Sequence, residues 1–207
     1  MLLAIDAGNS FVKWGYYDGR TWVSHQRASL AAFCADPLHY LDRPPTRVVI
    51  SNVAGTAFQD ALLRAFPNNI LRWVKAEARA CGVSNHYDNP TQLGSDRWAA
   101  LIAARAITPA PCLVVSIGTA LTVDMLAENG AFLGGLIAPG PQLMREALAH
   151  GTDAIQPLGG QVVPIPTNTA NAVQTGVVYA VLGAIERAAA TFEAKQDAGI
   201  TCILTGG

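Results

Sequence analysis

Asp6 closes a short apolar run and is followed by Ala7, Gly8, Asn9 and Ser10. A strand that ends in an acid and turns on glycine brings a carboxylate and several backbone N–H groups to one mouth, a set suited to a phosphate and its magnesium ion. Lys13 falls on the next predicted strand, where it could reach that phosphate or simply stay solvated. A second segment repeats the layout. The run from Cys112 ends in Ser116, Ile117, Gly118, Thr119 and Ala120, and resumes through Leu121, Thr122 and Asp124. The two segments superpose at an offset of about 110 residues, with Asp6 on Ser116, Gly8 on Gly118 and Asn9 on Thr119. One such turn is also an ordinary hairpin, whereas two facing turns would grip a polyphosphate from both sides.

A third constellation is Gly94, Ser95, Asp96 and Arg97 at the start of a predicted helix whose apolar face is Trp98, Leu101 and Ile102. Capping alone selects Ser or Asp there, worth about 0.5–2 kcal/mol. The adjacent Arg97, with Tyr87, Asn89 and Pro90 upstream, adds a functional reading: a guanidinium to bind a carboxylate and Asp96 to take the proton of a hydroxyl. Asp124 lies in an apolar stretch expected to be half-buried, where a carboxylate needs a cation or a hydrogen-bond donor. The usual nucleotide and zinc motifs, Gly-x-x-x-x-Gly-Lys-Ser/Thr, Gly-x-Gly-x-x-Gly after the first strand and His-Glu-x-x-His, are absent. Neither the four histidines nor the four cysteines show ligand spacing, and the cysteines form no compact disulfide framework, which points to a reducing cytoplasm.

These residues must be carried by a folded scaffold, and the chain has the means: 207 residues of which 51% are apolar. A net charge of −1 with interspersed signs offers no basic stripe for nucleic acid. The N-terminus meets Asp6 before a signal-peptide core could form, and the longest apolar stretch, Val177 to Ile185, falls far short of the roughly 20 residues a bilayer requires. Neither export nor membrane insertion is expected. Strands are predicted over 2–6, 11–17, Arg47 to Ser51, 70–74, 112–126 with its turn, Ala131 to Ile137 and Ile200 to Leu204. Helices are predicted over 29–42, 56–66, Ser95 to Ile107, Pro141 to His150 and Thr169 to Lys195, with Gln156 to Pro166 as a connecting loop free to move.

Asp6 to Ser10 with Lys13, Gly94 to Arg97, Gly118 to Ala120 with Thr122 and Asp124, and Gly134, Gly135, Pro139 and Gly140 stand in the order and approximate spacing of type III pantothenate kinases. Thr169 with Gly176, and the closing Thr205, Gly206 and Gly207, continue the resemblance to the end of the chain. The resemblance implies an α/β fold of two duplicated ribonuclease H-like domains of the actin-like ATPase superfamily, with mixed sheets flanked by helices. They would span residues 1–111 and 112–207, the second incomplete at its C-terminus, because similar proteins continue past the turn that helps enclose adenine and ribose. It further implies a cytoplasmic homodimer that uses ATP and a divalent cation to phosphorylate pantothenate. Asp6 would organise magnesium, while Gly8, Asn9, Ser10, Lys13, Gly118 and Thr119 would contact phosphate. Asp96 would be the general base, and Tyr87, Gly94, Arg97 and a partner subunit's threonine at the position of Thr169 would hold pantothenate. A potassium or ammonium ion would bind near Asp124. Ser116 departs from the acid that many superfamily members carry in the second turn, so Asp6 is expected to carry the metal largely alone. The competing readings are a kinase for a sugar or acetate, and a regulatory protein on the same fold without turnover.

Overall fold

Alternation along Leu2–Ala7 (β1) buries Leu3, Ile5 and Ala7 on one face and leaves Leu2, Ala4 and Asp6 on the other. The structure is a computed structural model that describes residues 1–152, 159–196 and 199–206. β1 pairs antiparallel with β2 (Phe11–Tyr17), and β2 pairs antiparallel with β3 (Trp22–Ser29). On its other side β1 runs parallel to β4 (Arg47–Asn52), which runs parallel to β5 (Leu71–Trp73), giving the order β3-β2-β1-β4-β5. Helices α1 (Leu30–Ala35) and α2 (Thr56–Ala65) bring Phe33, Phe58 and Leu62 onto Leu3, Ile5 and Trp14. The helix expected over 29–42 is cut short because Pro37 has no N–H to continue it. Asp36 instead accepts a hydrogen bond from His39 N–H at 3.2 Å and opens a 3-10 turn, Pro37–Tyr40.

The second sheet contains β6 (Arg79–Ala80), β7 (Val83–Asn85), β8 (Cys112–Ile117), β9 (Ala120–Leu126), β10 (Ala131–Pro139) and β11 (Thr201–Gly206), in the order β11-β8-β9-β10-β7-β6. Its segment β10-β9-β8-β11 repeats the order and directions of β3-β2-β1-β4: two antiparallel steps, then a parallel one. This is the duplicated ribonuclease H-like architecture. Helix α3 (Ser95–Ile107) precedes β8, and α4 (Pro141–Gly151) and α5 (Thr169–Glu193) follow β10. Val181, Ala188 and Phe192, spaced along one stripe of α5, pack on Leu113, Val115 and Val123 of the sheet. By internal contacts the chain forms one unit from Met1–Ala78 with Asp88–Ala100 and another from Arg79–Tyr87 with Leu101 onward.

Of the expected connecting loop, 156–158 lie outside the described residues, as does Gly207. Residues 159–168 contain no helix or strand, yet α5 ties them down: Asn171 Oδ1 accepts from Gln161 N–H at 2.9 Å and Thr175 Oγ1 from Val163 N–H at 3.1 Å. Among the described residues no helix is long and apolar enough to cross a membrane.

Candidate active site

In the first unit, Gly8 to Ser10 form the turn between β1 and β2, closed by Gly8 N–H donating to Phe11 O at 3.0 Å. Leu30 N–H donates to Ser10 O at 3.0 Å, so the start of α1 is fastened to this turn. Asn9 and Ser10 are exposed, and Gly8 and Lys13 are half-buried. Asp6 stands opposite Lys13 on one neighbouring strand and opposite Ser51 on the other, so all three side chains share a sheet face. The Asp6 residue reaches solvent, but the protein around its carboxylate strips enough water to push its pKa above the usual carboxylate value. The negative charge of Asp96 pushes it the same way, and a hydrogen bond from Ser51 and the charge of Lys13 oppose the shift without cancelling it.

Asp96 reaches this neighbourhood because α3 begins against the end of β4. Ser95 Oγ accepts from Asn52 N–H at 3.0 Å and lies 3.1 Å from Ser51 Oγ. Ser95, which the sequence suggests as a cap, therefore holds a strand as well as opening a helix. Asp96 Oδ1 accepts from Arg97 N–H at 2.8 Å, satisfying one free amide of the first helical turn, while Oδ2 has no hydrogen bond among the described residues. The carboxylate folds back over Gly94, where an added Cβ would lie 2.5 Å from Oδ1. Arg97 is buried, at 6% exposure. The structure thus groups Asp6, Lys13 and Asp96 with Ser95, and adds Ser51 and Asn52, which sequence reasoning did not single out. Their only signal in the sequence is a pair of polar residues ending an otherwise apolar strand.

The second unit presents its own turn. Gly118 N–H donates to Ala120 O at 3.0 Å, and Gly140 N–H donates to Thr119 O at 2.8 Å, the counterpart of the Leu30 to Ser10 bond. Gly118 and Thr119 are exposed. Ser116 stands opposite Thr122 and Thr205, so this turn carries hydroxyls where the first has an acid and a lysine. Asp124 is more deeply buried than expected, at 1% exposure, opposite Val114 and Gly135. Tyr87 packs its ring on Phe132 with centroids 5.2 Å apart. Thr169, exposed at the start of α5, lines an apolar groove of about 960 Å³ with Pro139, Met144, Leu148 and Val173.

A magnesium-sized cation is commonly held by one or two carboxylates with substrate phosphates completing its shell. The first unit fits that pattern, since a cation on Asp6 would relieve both the lost hydration and the repulsion from Asp96. Among the described residues no group of three or more His, Cys, Asp or Glu could hold a metal ion.

A family model described as type III pantothenate kinase matches residues 2–191. A type III pantothenate kinase of Nitrosospira multiformis is 45% identical over 210 residues, covering 100% of this chain and 80% of the relative. One of Aromatoleum aromaticum is 44% identical, covering 100% of this chain and 86% of the relative. Among solved structures, a conserved Campylobacter jejuni protein assigned to the Baf family of transcriptional activators superposes with a TM-score of 0.63 at 19% identity, over 96% of this chain and 89% of that one. A Sinorhizobium meliloti protein assigned as a 2-dehydro-3-deoxygalactonokinase does so with 0.61 at 12% identity, over 100% and 93%. At these identities the structural likeness speaks for the fold alone.

Proposed function

This chain belongs to the type III pantothenate kinase family, and from that membership we propose that it transfers the γ-phosphoryl group of ATP to the primary hydroxyl of pantothenate, the first step of coenzyme A biosynthesis. The observation that carries the reading is Asp96: Oδ1 is pinned by Arg97 N–H, Oδ2 has no hydrogen bond among the described residues, and Asp6 is near enough to feel its charge. Asp96 takes the hydroxyl proton as the oxygen bonds to the γ-phosphorus and the bond to the β-phosphate oxygen breaks, releasing ADP. A divalent cation of the kind ATP-dependent kinases use, magnesium in this reading, would be held by Asp6 and would neutralise phosphate charge. Gly8, Asn9, Ser10 and Lys13 in the first repeat, and Gly118 and Thr119 in the second, are assigned to the phosphoryl groups. Tyr87, Gly94 and Arg97 are assigned to pantothenate.

Three further assignments belong to the same reading. The protein acts in the cytoplasm as a homodimer, with Thr169 contributing to the pantothenate site of the partner subunit. The apolar groove beside Thr169, with Leu143, Leu148 and Tyr179 exposed nearby, supports a second copy as its cover. Potassium or ammonium binds near Asp124, whose burial favours a positive neighbour.

The test is a coupled ADP-release assay offering pantothenate, sugars and acetate, with and without potassium. Turnover with pantothenate alone, raised by potassium, is expected. Asp96→Asn should lower kcat at least about a hundredfold with an unchanged melting temperature, and near-parental activity in that variant would refute the base assignment.

A further inference from the structure

Asp6 and Asp96 come from elements 90 residues apart in sequence, so something must set their separation before any ligand arrives. The contact between β4 and α3 does this with hydroxyls. Asn52 N–H donates to Ser95 Oγ at 3.0 Å, and Ser95 Oγ lies 3.1 Å from Ser51 Oγ. Ser51 stands opposite Asp6 in the parallel register. The anchor at the far end is firm: Asn52 uses its side chain to accept from Ala54 N–H at 2.9 Å and to donate to Gly55 O at 3.0 Å, while Val53 N–H donates to Ala7 O at 3.0 Å.

The two ends fix the direction of the protons between them. An amide N–H only donates and an ionised carboxylate only accepts, and each hydroxyl has one proton. With Ser51 donating to Asp6, the bond that opposes the rise in its pKa, Ser95 is left to donate to Ser51 while it accepts from Asn52 N–H, each bond polarising the next towards the carboxylate.

We propose that Ser51 and Ser95 are positioning residues for phosphoryl transfer, a hydroxyl pair that aims Asp6 and ties it to the first turn of α3, where Asp96 sits. Ser51 orients Asp6 directly and Ser95 orients Ser51. This rests on the kinase reading for its chemistry. The link between Asp6 and α3 rests on the parallel register of Asp6 with Ser51, the lowering effect of Ser51 on that carboxylate, and the Ser51–Ser95–Asn52 contacts.

The experiment measures kcat and KM for the parent and for Ser51→Ala, Ser95→Ala and Asp6→Asn. It also measures the affinity for AMPPNP, with and without magnesium, by calorimetry. Ser51→Ala should lower kcat about tenfold, as expected for a lost hydrogen bond to a charged group. It should weaken by a similar factor the gain in AMPPNP affinity that magnesium brings, with KM for pantothenate within about twofold. Ser95→Ala should cost about threefold, because Ser51 keeps its own proton for Asp6. Added to Asp6→Asn, Ser51→Ala should cost nothing more. Ser51→Thr should restore most of the loss, and Ser51→Cys, a weak donor of similar size, serves if the alanine variant does not fold. Losses that multiply in the double variant overturn the proposal. So does a Ser51→Ala or Ser51→Cys protein with both readouts within twofold of the parent, whatever its melting temperature. A parent without pantothenate-dependent ADP release overturns the proposed function instead, and the AMPPNP titrations still decide the positioning role.

Discussion

Gly140→Ala is a sharp test of whether the second glycine turn handles phosphate. Gly140 has φ −74° and ψ 170°, a backbone any residue adopts, so alanine brings no torsional penalty. The cost is steric. A Cβ there would stand 1.9 Å from Gly118 O and 2.7 Å from Thr119 O, both backbone atoms. Ordinary contact begins near about 3.4 Å, so the Gly118 carbonyl must withdraw by roughly 1.5 Å, and the turn must move with it. Overpacking of this kind costs about 1–3 kcal/mol, or a fall in Tm of roughly 2–12 °C for a chain of this size. Misplacing reactants by about 1 Å can cost a hundredfold in rate, so kcat/KM for ATP should fall about that far. The control is Gly183→Ala inside α5, where a Cβ meets nothing within 4 Å. It should leave the kinetics alone and add about 0.5–1 kcal/mol of helix stability. Steady-state ADP release against ATP at saturating pantothenate, with thermal melts, measures both. A Gly140→Ala protein that melts early but keeps kcat/KM within threefold would remove phosphate from this turn, and one that keeps both would refute the steric reasoning.

Two other outcomes follow from the first unit. The pKa of Asp6 is raised by desolvation and then by Asp96, so the folded state holds this proton more tightly than the unfolded chain, whose value is near 3.8. As pH climbs from there through the raised folded value, the parent loses stability that Asp6→Asn does not lose. Melts in metal-free buffer should therefore show the variant gaining on the parent from acid to neutral pH, and the opposite trend would overturn the assigned shift. Gly94→Ala puts a Cβ 2.5 Å from Asp96 Oδ1, the end of a side chain that can rotate away. The fold should hold, kcat should fall about tenfold through the lost Arg97 N–H bond, and kcat should fall little further when the change is added to Asp96→Asn.

Much of this arrangement can be read from local pattern. The helices over 56–66, 95–107 and 141–150 show apolar spacing that lasts several turns, and the observed α2, α3 and α4 follow it within a residue. Both glycine turns are equally plain as turns, because an apolar strand that stops at glycine marks a reversal of the chain. Where local pattern fails, the cause is distance or brevity. The two-residue β6 and three-residue β7 are too short to display a period, and β7 owes its place to pairing with β10, 47 residues later by the register of Ser84 with Ala131. The Ser51 to Ser95 contact joins residues 44 apart. A serine that ends a strand and a serine that begins a helix each look complete as a local signal, and nothing in either says that they meet. Asp124 was harder in another way: alternation predicts which face it occupies but not how thick the layer over that face is.

The duplication also explains why the two turns need not share their work equally. Strand-end positions correspond: Asp6 with its neighbours Lys13 and Ser51 in one repeat, Ser116 with Thr122 and Thr205 in the other. Both repeats keep a hydroxyl on the parallel neighbour and a backbone bond from the following helix into the turn. Only the first has charges of both signs. A scaffold that has the same backbone donors but a serine where the other repeat has an acid should bind an anion and not a cation. Restoring the acid tests this directly. Ser116→Asp would stand between two threonines rather than beside a lysine, so no cation of the protein's own balances it in the register. If the second turn works through its amides alone, the added charge should repel phosphate and raise KM for ATP, with no gain in metal affinity. A Ser116→Asp protein that bound magnesium more tightly without ATP would show instead that the second repeat retains a dormant metal site.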